Sequence, residues 1–304
     1  FPEVRITTSI LSERLPTCSL KVSALLQGVR HLDEYTEIVA QMDADVVPPP
    51  HWLRELARPF DDPQVGAVSG LRWYHTDDCS WGSLVRHLWG AAAATQMYSL
   101  EILWGGTLAY RASVLRDPVL QALWTHSFVE DTSIVGYLRQ HQWKMRVLPH
   151  LTMINPESIS LPSCYRFLRR QMFCVRFHHP AWSTVFWTTL GMTLSTPLVV
   201  AVALAAHYQG MDWLAWTVLG SLVAGVLGTG LPLAWIDGTF YYTAPEDKPI
   251  APLRWKHIPV VPLTVIVHLS AVVSAMRLRE IDWRGIRYAI EDKGAIQRLN
   301  DAPY

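Results

Sequence analysis

The sequence has no excess of charge of either sign, because its 304 residues include 26 lysines and arginines against 26 aspartates and glutamates. Nucleic-acid binding depends on a surplus of basic residues, so we expect no nucleic-acid partner. None of the four cysteines stands in a Cys-x-x-Cys or Cys/His zinc spacing, which predicts reduced or buried thiols. The GxGxxG and GxxxxGKS/T phosphate loops are also missing, so neither a Rossmann dehydrogenase nor a P-loop nucleotidase is supported.

Charged side chains are absent from two long segments, Ala181–Met211 and Trp213–Ile236. Each segment exceeds the ~20 residues that a helix needs to cross the hydrocarbon layer of a bilayer. The segments predict membrane spans near residues 185–206 and 213–235. A pair of buried helices in a large soluble core is the alternative.

A third apolar segment, residues 258–276, is shorter, contains two prolines, and is followed by arginines. Arginines ahead of the first span place residues 1–180 in the cytoplasm, and a third full crossing would export the basic tail after Arg277. We therefore expect 258–276 to be a re-entrant or interfacial element, with a full span as the alternative. The sequence predicts a multi-pass integral membrane protein, of the inner membrane if the source is bacterial, with its N-terminal part and tail cytoplasmic.

Strand-like and helix-like segments alternate before residue 165, which is the rhythm of an α/β fold. Apolar runs predict strands at Val4–Thr8, Glu37–Met42, Val65–Leu71, Leu103–Tyr110 and Met145–Pro149. Helices are predicted at Lys21–Leu32, His51–Arg58, Ser80–Ser99 and Thr132–Gln140. The predicted organisation is an α/β domain over residues 1–165, an arginine-rich interfacial element over 166–180 and a membrane region over 181–304.

Asp43 and Asp45 follow the apolar strand that ends at Met42. Side chains at positions i and i+2 of an extended chain point the same way. At the carboxyl end of a strand, the two carboxylates could bind one hard divalent cation shared with a diphosphate. The alternative is that Asp45 is a turn or cap residue before the prolines.

Two further polar groups have both a chemical and a structural interpretation. Glu130 and Asp131 precede a predicted helix, where acids favour the helix dipole, and where one of them could serve as a general base. Arg169, Arg170 and Gln171 lie just before the first predicted span. Such arginines orient a membrane protein and contact anionic lipid, but guanidinium groups also clamp diphosphates.

The order of these motifs along one chain is distinctive. Apolar helices follow five motifs that occur in this order: Lys21-Val-Ser-Ala-Leu, Asp43-Ala-Asp, Trp104-Gly-Gly-Thr ahead of Tyr110-Arg, Glu130-Asp, and the Arg-Arg-Gln element. The sequence resembles the membrane-bound family-2 glycosyltransferases, and most closely their ceramide glucosyltransferase-like branch. The resemblance implies a GT-A-like nucleotide-sugar transferase domain followed by an α-helical membrane region.

The resemblance also implies roles for individual residues. Asp43 and Asp45 match the family's pair for Mg²⁺ or Mn²⁺ and the nucleotide diphosphate, and Asp131 matches the aspartate that deprotonates the acceptor hydroxyl. Other matched positions would line the donor site: Lys21, Gly105, Gly106, Glu130, Arg169, Arg170 and Gln171. An exposed lysine and a plain turn are the alternatives for Lys21 and the two glycines, and the tryptophan of the family's Gln/Arg-x-x-Arg-Trp signature is absent here.

The implied reaction transfers a sugar from a UDP-sugar to a lipid acceptor such as ceramide, with inversion. The family's domain begins with an earlier strand carrying a base-binding aspartate, usually after a membrane helix, and neither precedes Phe1, so we expect the chain to be N-terminally incomplete. A processive polysaccharide synthase is the alternative enzyme. A catalytically silent membrane scaffold or transport subunit is the alternative of another class.

Overall fold

The structure is a computed structural model that describes residues 6–44, 46, 48–75, 78–228, 257–291 and 295–300. Four strands form one mixed sheet: β1 (Ile38–Met42), β2 (Val65–Tyr74), β3 (Thr107–Arg111) and β4 (Lys144–Asn155), in the order β1-β3-β2-β4. Strand β3 is antiparallel to β1 and β2, whereas β2 and β4 run parallel. The predicted α/β domain is therefore present, with a mixed sheet.

Helices cover both faces of this sheet. They are α1 (Leu20–Val29), α2 (Trp52–Ala57), α3 (Trp81–Leu100), α4 (Ala112–Arg116), α5 (Pro118–Trp124) and α6 (Glu130–Gln140). Consecutive residues of β2 point to opposite faces, so Ala67 packs in the cluster formed with α1, α5 and α6, and Val68 packs against Leu56 of α2. Burial on both faces explains why β2 reads as a nearly continuous apolar run.

Two helix starts position functional side chains. Helix α1 begins after Ser19, whose hydroxyl accepts the backbone N–H of Val22 at 3.2 Å, so Lys21 lies in the first turn. Helix α6 begins at Glu130 after the extended residue Val129, which makes no side-chain capping bond. Glu130 and Asp131 therefore occupy the first turn of α6.

Helix α7 (Leu161–His178) is amphipathic and begins at a Ser160 cap. Its buried face includes Cys164, Leu168, Met172 and Val175, at the spacing that places residues on one side of a helix. The predicted boundary between residues 165 and 166 falls inside α7. The end of the first domain and the arginine-rich element are one continuous helix.

Three apolar helices follow within the described residues: α8 (Trp182–Tyr208), α9 (Asp212–Gly228) and α10 (His257–Arg277). Among the described residues, α8 and the segment Pro259–Arg277 are long and apolar enough to cross a membrane. Part of the second predicted span, 213–235, lies beyond Gly228 and outside the described residues. Helix α10 runs without the reversal of a re-entrant element, and its apolar length fits the alternative, a full span.

The tail after α10 was predicted only as a basic cytoplasmic segment, and the structure shows a three-stranded antiparallel sheet there. Its strands are β5 (Glu280–Trp283), β6 (Ile286–Ile290) and β7 (Ile296–Arg298). The backbone N–H of Arg298 donates to the carbonyl of Pro16 at 2.7 Å. Because a segment across a bilayer could not make this bond, the sheet and the N-terminal domain lie on the same side of any membrane that the helices cross.

The predicted elements of the N-terminal part agree with the observed ones to within a few residues at most ends. The exception is Val4–Thr8, whose first two residues lie outside the described part and whose described residues, 6–8, form no strand. The strand predicted to begin at Leu103 begins at Thr107, because residues 103–106 form the turn that carries Gly105 and Gly106.

Candidate functional site

A cavity of about 160 Å³ lies between the first turns of α1 and α6, strand β2, and helices α3 and α7. Charged and polar side chains line part of its wall: Lys21, Asp43, Arg72, Asp131, Arg170 and Gln171. Apolar side chains line the rest, among them Trp89, Met97, Leu103, Phe128, Phe167 and Val175. The cavity is therefore amphipathic, with five of the ten predicted site residues on its polar wall.

Asp131 is half-buried on the cavity wall, and both oxygens of its carboxylate have backbone partners. Oδ2 accepts the N–H of Gly105 at 2.8 Å, and Oδ1 accepts the N–H of Thr132 at 2.6 Å. Burial, together with the negative charge of Glu130, raises the pKa of Asp131 to about 6, although Lys21 and the two N–H groups oppose the shift. A carboxylate with such a pKa is ionised at neutral pH and basic enough to accept a proton.

Glu130 is fully buried and does not cap α6 with its side chain. Its Oε1 accepts from Lys21 Nζ at 2.8 Å and from Gln41 Nε2. Gln41 Nε2 also donates to the carbonyl of Gly105 at 2.8 Å. Glu130 thus joins the first turn of α1, strand β1 and the turn that holds Asp131.

Lys21 lies between two carboxylates, because its Nζ is also 3.1 Å from Asp43 Oδ1. Burial by itself would lower the pKa of Lys21, but the carboxylates of Glu130, Asp131 and Asp43 raise it above its ordinary value. The interpretation of Lys21 as a solvated lysine at a helix start is therefore wrong. It is a fixed positive charge on the cavity wall.

Arg72 of β2 holds the other side of Asp43, with its guanidinium 3.3 Å from Oδ2. The same guanidinium stacks over the indole of Trp104 at 4.3 Å from the ring centroid and donates to the hydroxyl of Tyr74 at 2.9 Å. These contacts fix the plane of the guanidinium at the cavity wall.

Helix α7 contributes Arg170 and Gln171 to the cavity wall, whereas Arg169 is not part of it. Successive helical residues point about 100° apart, so the side chain of Arg169 points away from the part of the cavity that Arg170 and Gln171 line. Burial, and to a smaller extent the positive charges of Arg72 and Arg284, lower the pKa of Arg170. Lys21, Arg72 and Arg170 thus bring three positive charges to one cavity, a setting suited to an anion.

Gly105 and Gly106 do not line the cavity. A Cβ at Gly105 would stand 2.2 Å from Glu130 Oε1 and 2.9 Å from Lys21 Nζ, and one at Gly106 would overlap the indole of Trp104. The glycines are required by internal packing, and Gly105 positions Asp131 through its N–H. The expectation that these two glycines line the donor site is not met by the lining of this cavity.

The predicted metal pair is only half described, because Asp45 lies outside the described residues. In the part of the chain that the structure describes, no three His, Cys, Asp or Glu side chains group closely enough to hold a metal ion. Asp43 presents carboxylate oxygens at the cavity wall, and these are the ligands that Mg²⁺ and Mn²⁺ prefer. The carboxylate of Asp43 is therefore a suitable ligand for a hard cation, whose remaining ligands would come from groups other than the described His, Cys, Asp and Glu side chains.

Sequence reasoning missed three site residues. Gln41 and Arg72 had a signal, because each is a polar residue inside an otherwise apolar strand. Trp283, which lines the cavity as Arg72 does, had no such signal in the sequence, because it lies six residues after α10 and about 150 residues after Asp131.

Comparisons with known proteins show the family of this chain. Residues 1–184 match the family described as "Glycosyltransferase like family 2". A "Type 2 glycosyltransferase" of Zymoseptoria tritici is 28% identical over 216 residues, which cover 59% of this chain and 44% of that protein. The chain thus spans less than half the length of this relative. Its mixed α/β sheet is consistent with a GT-A-like fold, and since the family match covers more than half of its residues, the chain belongs to glycosyltransferase family 2.

Proposed function

We propose that this protein transfers a glycosyl group from a nucleoside diphosphate sugar to a hydroxyl group of an acceptor, in one displacement that inverts the anomeric carbon. One observation carries the proposal. A carboxylate with a raised pKa, Asp131, lines the same cavity as Lys21, Arg72 and Arg170. A base and an anion site in one cavity are what such a transfer requires.

Asp131 acts as the general base. The acceptor oxygen forms a bond to the anomeric carbon while the bond from that carbon to the diphosphate oxygen breaks, and the hydroxyl proton passes to a carboxylate oxygen of Asp131. The electron pair of the broken bond leaves with the diphosphate. The N–H groups of Gly105 and Thr132 hold the carboxylate in place during this step.

The positive side chains stabilise the leaving diphosphate. Lys21, Arg72 and Arg170 are fixed on the cavity wall by ion pairs or aromatic contacts, so little reorganisation is needed when negative charge develops. Asp43 and Asp45 would hold Mg²⁺ or Mn²⁺, which neutralises diphosphate charge when bound. Arg170 and Gln171 complete this wall from α7, in the region of the arginine-rich element.

We further propose a UDP-sugar donor and a lipid acceptor of the ceramide class. Several large apolar side chains of α8 and α9 are exposed, including Trp187, Leu198, Trp213 and Trp216. A membrane would cover these side chains, and it would place the cavity beside a source of lipid. The positive-inside rule then places the N-terminal domain in the cytoplasm.

The test uses the full 304-residue chain purified in detergent with UDP-glucose, Mg²⁺ or Mn²⁺, and short-chain ceramide. We expect UDP release that depends on ceramide, a glucosylated lipid product with the β configuration, and loss of both on addition of EDTA. Restoration by Mg²⁺ or Mn²⁺ would support cation binding at Asp43 and Asp45. Transfer that is undiminished in EDTA would remove the cation from the proposal.

The same experiment separates the alternatives. A water-soluble polymer made without ceramide would favour a polysaccharide synthase. No release of nucleotide from any of a panel of UDP-, GDP- and dTDP-sugars would favour a silent scaffold. The donor panel also identifies the sugar, which the cavity geometry leaves open.

A further inference from the structure

The sheet that follows α10 brings an aromatic side chain back to the cavity. Trp283, the last residue of β5, lines the cavity together with Phe128, Asp131 and Arg170. Its indole lies 5.2 Å from the ring of Phe128, and the guanidinium of Arg170 stands 5.6 Å from the indole centroid. A segment distant in sequence thus supplies part of the wall beside the proposed base.

The backbone fixes the direction of this side chain. Arg284 and Gly285 both have positive φ angles, 55° and 83°, and they form the tight turn that joins β5 to β6. Two central residues with positive φ match the twist of an antiparallel hairpin. Trp283, just before the turn, is paired with Ile286, and its half-buried indole extends from the sheet toward α7.

The sheet is anchored on the elements that carry the site. The ring of Tyr288 in β6 packs edge-on against Phe128 at 5.3 Å, and its hydroxyl accepts the backbone N–H of Leu20 at 3.3 Å. Leu20 precedes Lys21, and Phe128 comes three residues before Asp131. The contacts of Tyr288 therefore hold Trp283 at a fixed position relative to both charged residues.

We propose that Trp283 contacts the acceptor beside its reacting hydroxyl group and thereby determines which acceptors are used. This inference rests on the proposed function. The acceptor hydroxyl must reach Asp131, and Trp283 packs on Phe128, at the start of the loop that leads into Asp131. A flat indole offers an apolar face to the carbon skeleton of an acceptor. The donor would then bind at the other part of the wall, beside the ion pairs of Asp43.

Kinetics of Trp283→Ala and Trp283→Phe test the inference with UDP-glucose and short-chain ceramide as probes. We expect Trp283→Ala to raise KM for ceramide at least tenfold, while KM for UDP-glucose and its slow hydrolysis without acceptor change less than twofold. Trp283→Phe keeps a flat apolar face and should stay within threefold of the wild type. Arg287→Ala, at an exposed position of the same sheet, is the control for damage to the sheet.

Equal increases in both KM values, or no change in either, would overturn the inference. A fall in kcat alone with unchanged KM values would also overturn it, because that result describes a structural role. The wild-type enzyme serves as the reference for the proposed function. If the wild type transfers no sugar, the proposed function fails, and the next measurement still tests Trp283.

Thiol labelling provides a readout that needs no turnover. Trp283→Cys is made in a Cys79→Ser background, because the other native cysteines are buried. We expect short-chain ceramide to slow labelling by a water-soluble maleimide at least threefold, and UDP-glucose with Mg²⁺ to slow it less than 1.5-fold. Protection by UDP-glucose alone, or by neither probe, would show that the acceptor does not contact this position.

Discussion

The N-terminal domain and helices α8 and α9 place polar and apolar side chains in opposite positions. In the domain, Glu130 is completely buried with its charge paired, and the apolar side chains form the core. In the helices, Leu198 is 63% exposed and Trp216 is 73% exposed. The domain buries its apolar side chains and pairs its buried charge, whereas helices α8 and α9 leave many large apolar side chains exposed.

The physical reason is the cost of each group in each surrounding. Exposing apolar surface to water costs about 25 cal/mol per Å², so a large apolar helix surface needs a cover. Burying a charge without a partner costs several kcal/mol, and Lys21 and Gln41 reduce this cost at Glu130.

The largest effect is expected at the buried polar cluster, from Asp131→Asn. The amide keeps the shape of the carboxylate but cannot accept the proton, so transfer should fall by about 10²–10⁴-fold. Initial rates with nucleotide affinity measured separately check this result. Glu130→Gln should lower the rate less, because Glu130 positions Lys21 and does not line the cavity. Near-normal turnover of Asp131→Asn would disprove the role of Asp131 as a base.

The helix surface is tested by a matched pair of leucines. Leu198 of α8 and Leu53 of α2 are similarly exposed, at 63% and 58%. Leu198→Asp should cost ~2.5–3.5 kcal/mol of membrane insertion and shift protein from the membrane fraction, because a carboxylate at mid-span is expensive. Leu53→Asp should change the free energy of unfolding by only about 0.5 kcal/mol. Equal membrane fractions for the two variants would indicate that α8 does not cross the bilayer.

A smaller loss is expected from Gly105→Ala, because the new Cβ would stand 2.2 Å from Glu130 Oε1. Overpacking of this kind typically costs ~1–3 kcal/mol of stability. Gly136→Ala in α6 is the matched control, since a Cβ there meets nothing within 4 Å, and it should stabilise by ~0.5–1 kcal/mol. Thermal unfolding of both variants in detergent decides whether the two midpoints move in opposite directions.

The smallest effect is a pH dependence of the wild-type rate. The base must be deprotonated, and burial raises the pKa of Asp131 to about 6, so kcat/KM should fall about tenfold for each pH unit below 6. If Asp131 had the ordinary aspartate pKa near 3.8, kcat/KM would not change with pH until the pH fell to about 5. A pH profile that is level between 5 and 6.5 would contradict the raised pKa.

Sequence reasoning placed most elements of the N-terminal domain because their signals are local. The strand at Val65–Tyr74 is a nearly continuous apolar run, and α6 begins with an acidic first turn. The three strands after α10 were missed. Each has three to five residues, and their partners include Phe128 and Phe173, more than 100 residues earlier in the chain.

The roles of neighbouring acids show the same limit. Sequence position alone gave Glu130 and Asp131 the same two interpretations, because the interaction of an acid with the helix dipole is a local property of the first turn. In the structure, Glu130 points to Lys21 and Gln41, and Asp131 points to the cavity. The partners that distinguish the two residues come from α1, β1 and the Gly105 turn, which no local pattern specifies.

Three features could be read from the amino-acid sequence alone: the α/β character of residues 1–165, the uncharged segments after Ala181, and the order of acidic and basic motifs that indicated a family-2 glycosyltransferase. These features follow from composition, periodicity and short motifs. Only the tertiary structure placed Arg72 on Asp43, gave Gly105 its contact with Glu130, and returned Trp283 to the cavity. The reason is that such contacts join residues far apart in the chain, and their geometry depends on the packing of the whole fold.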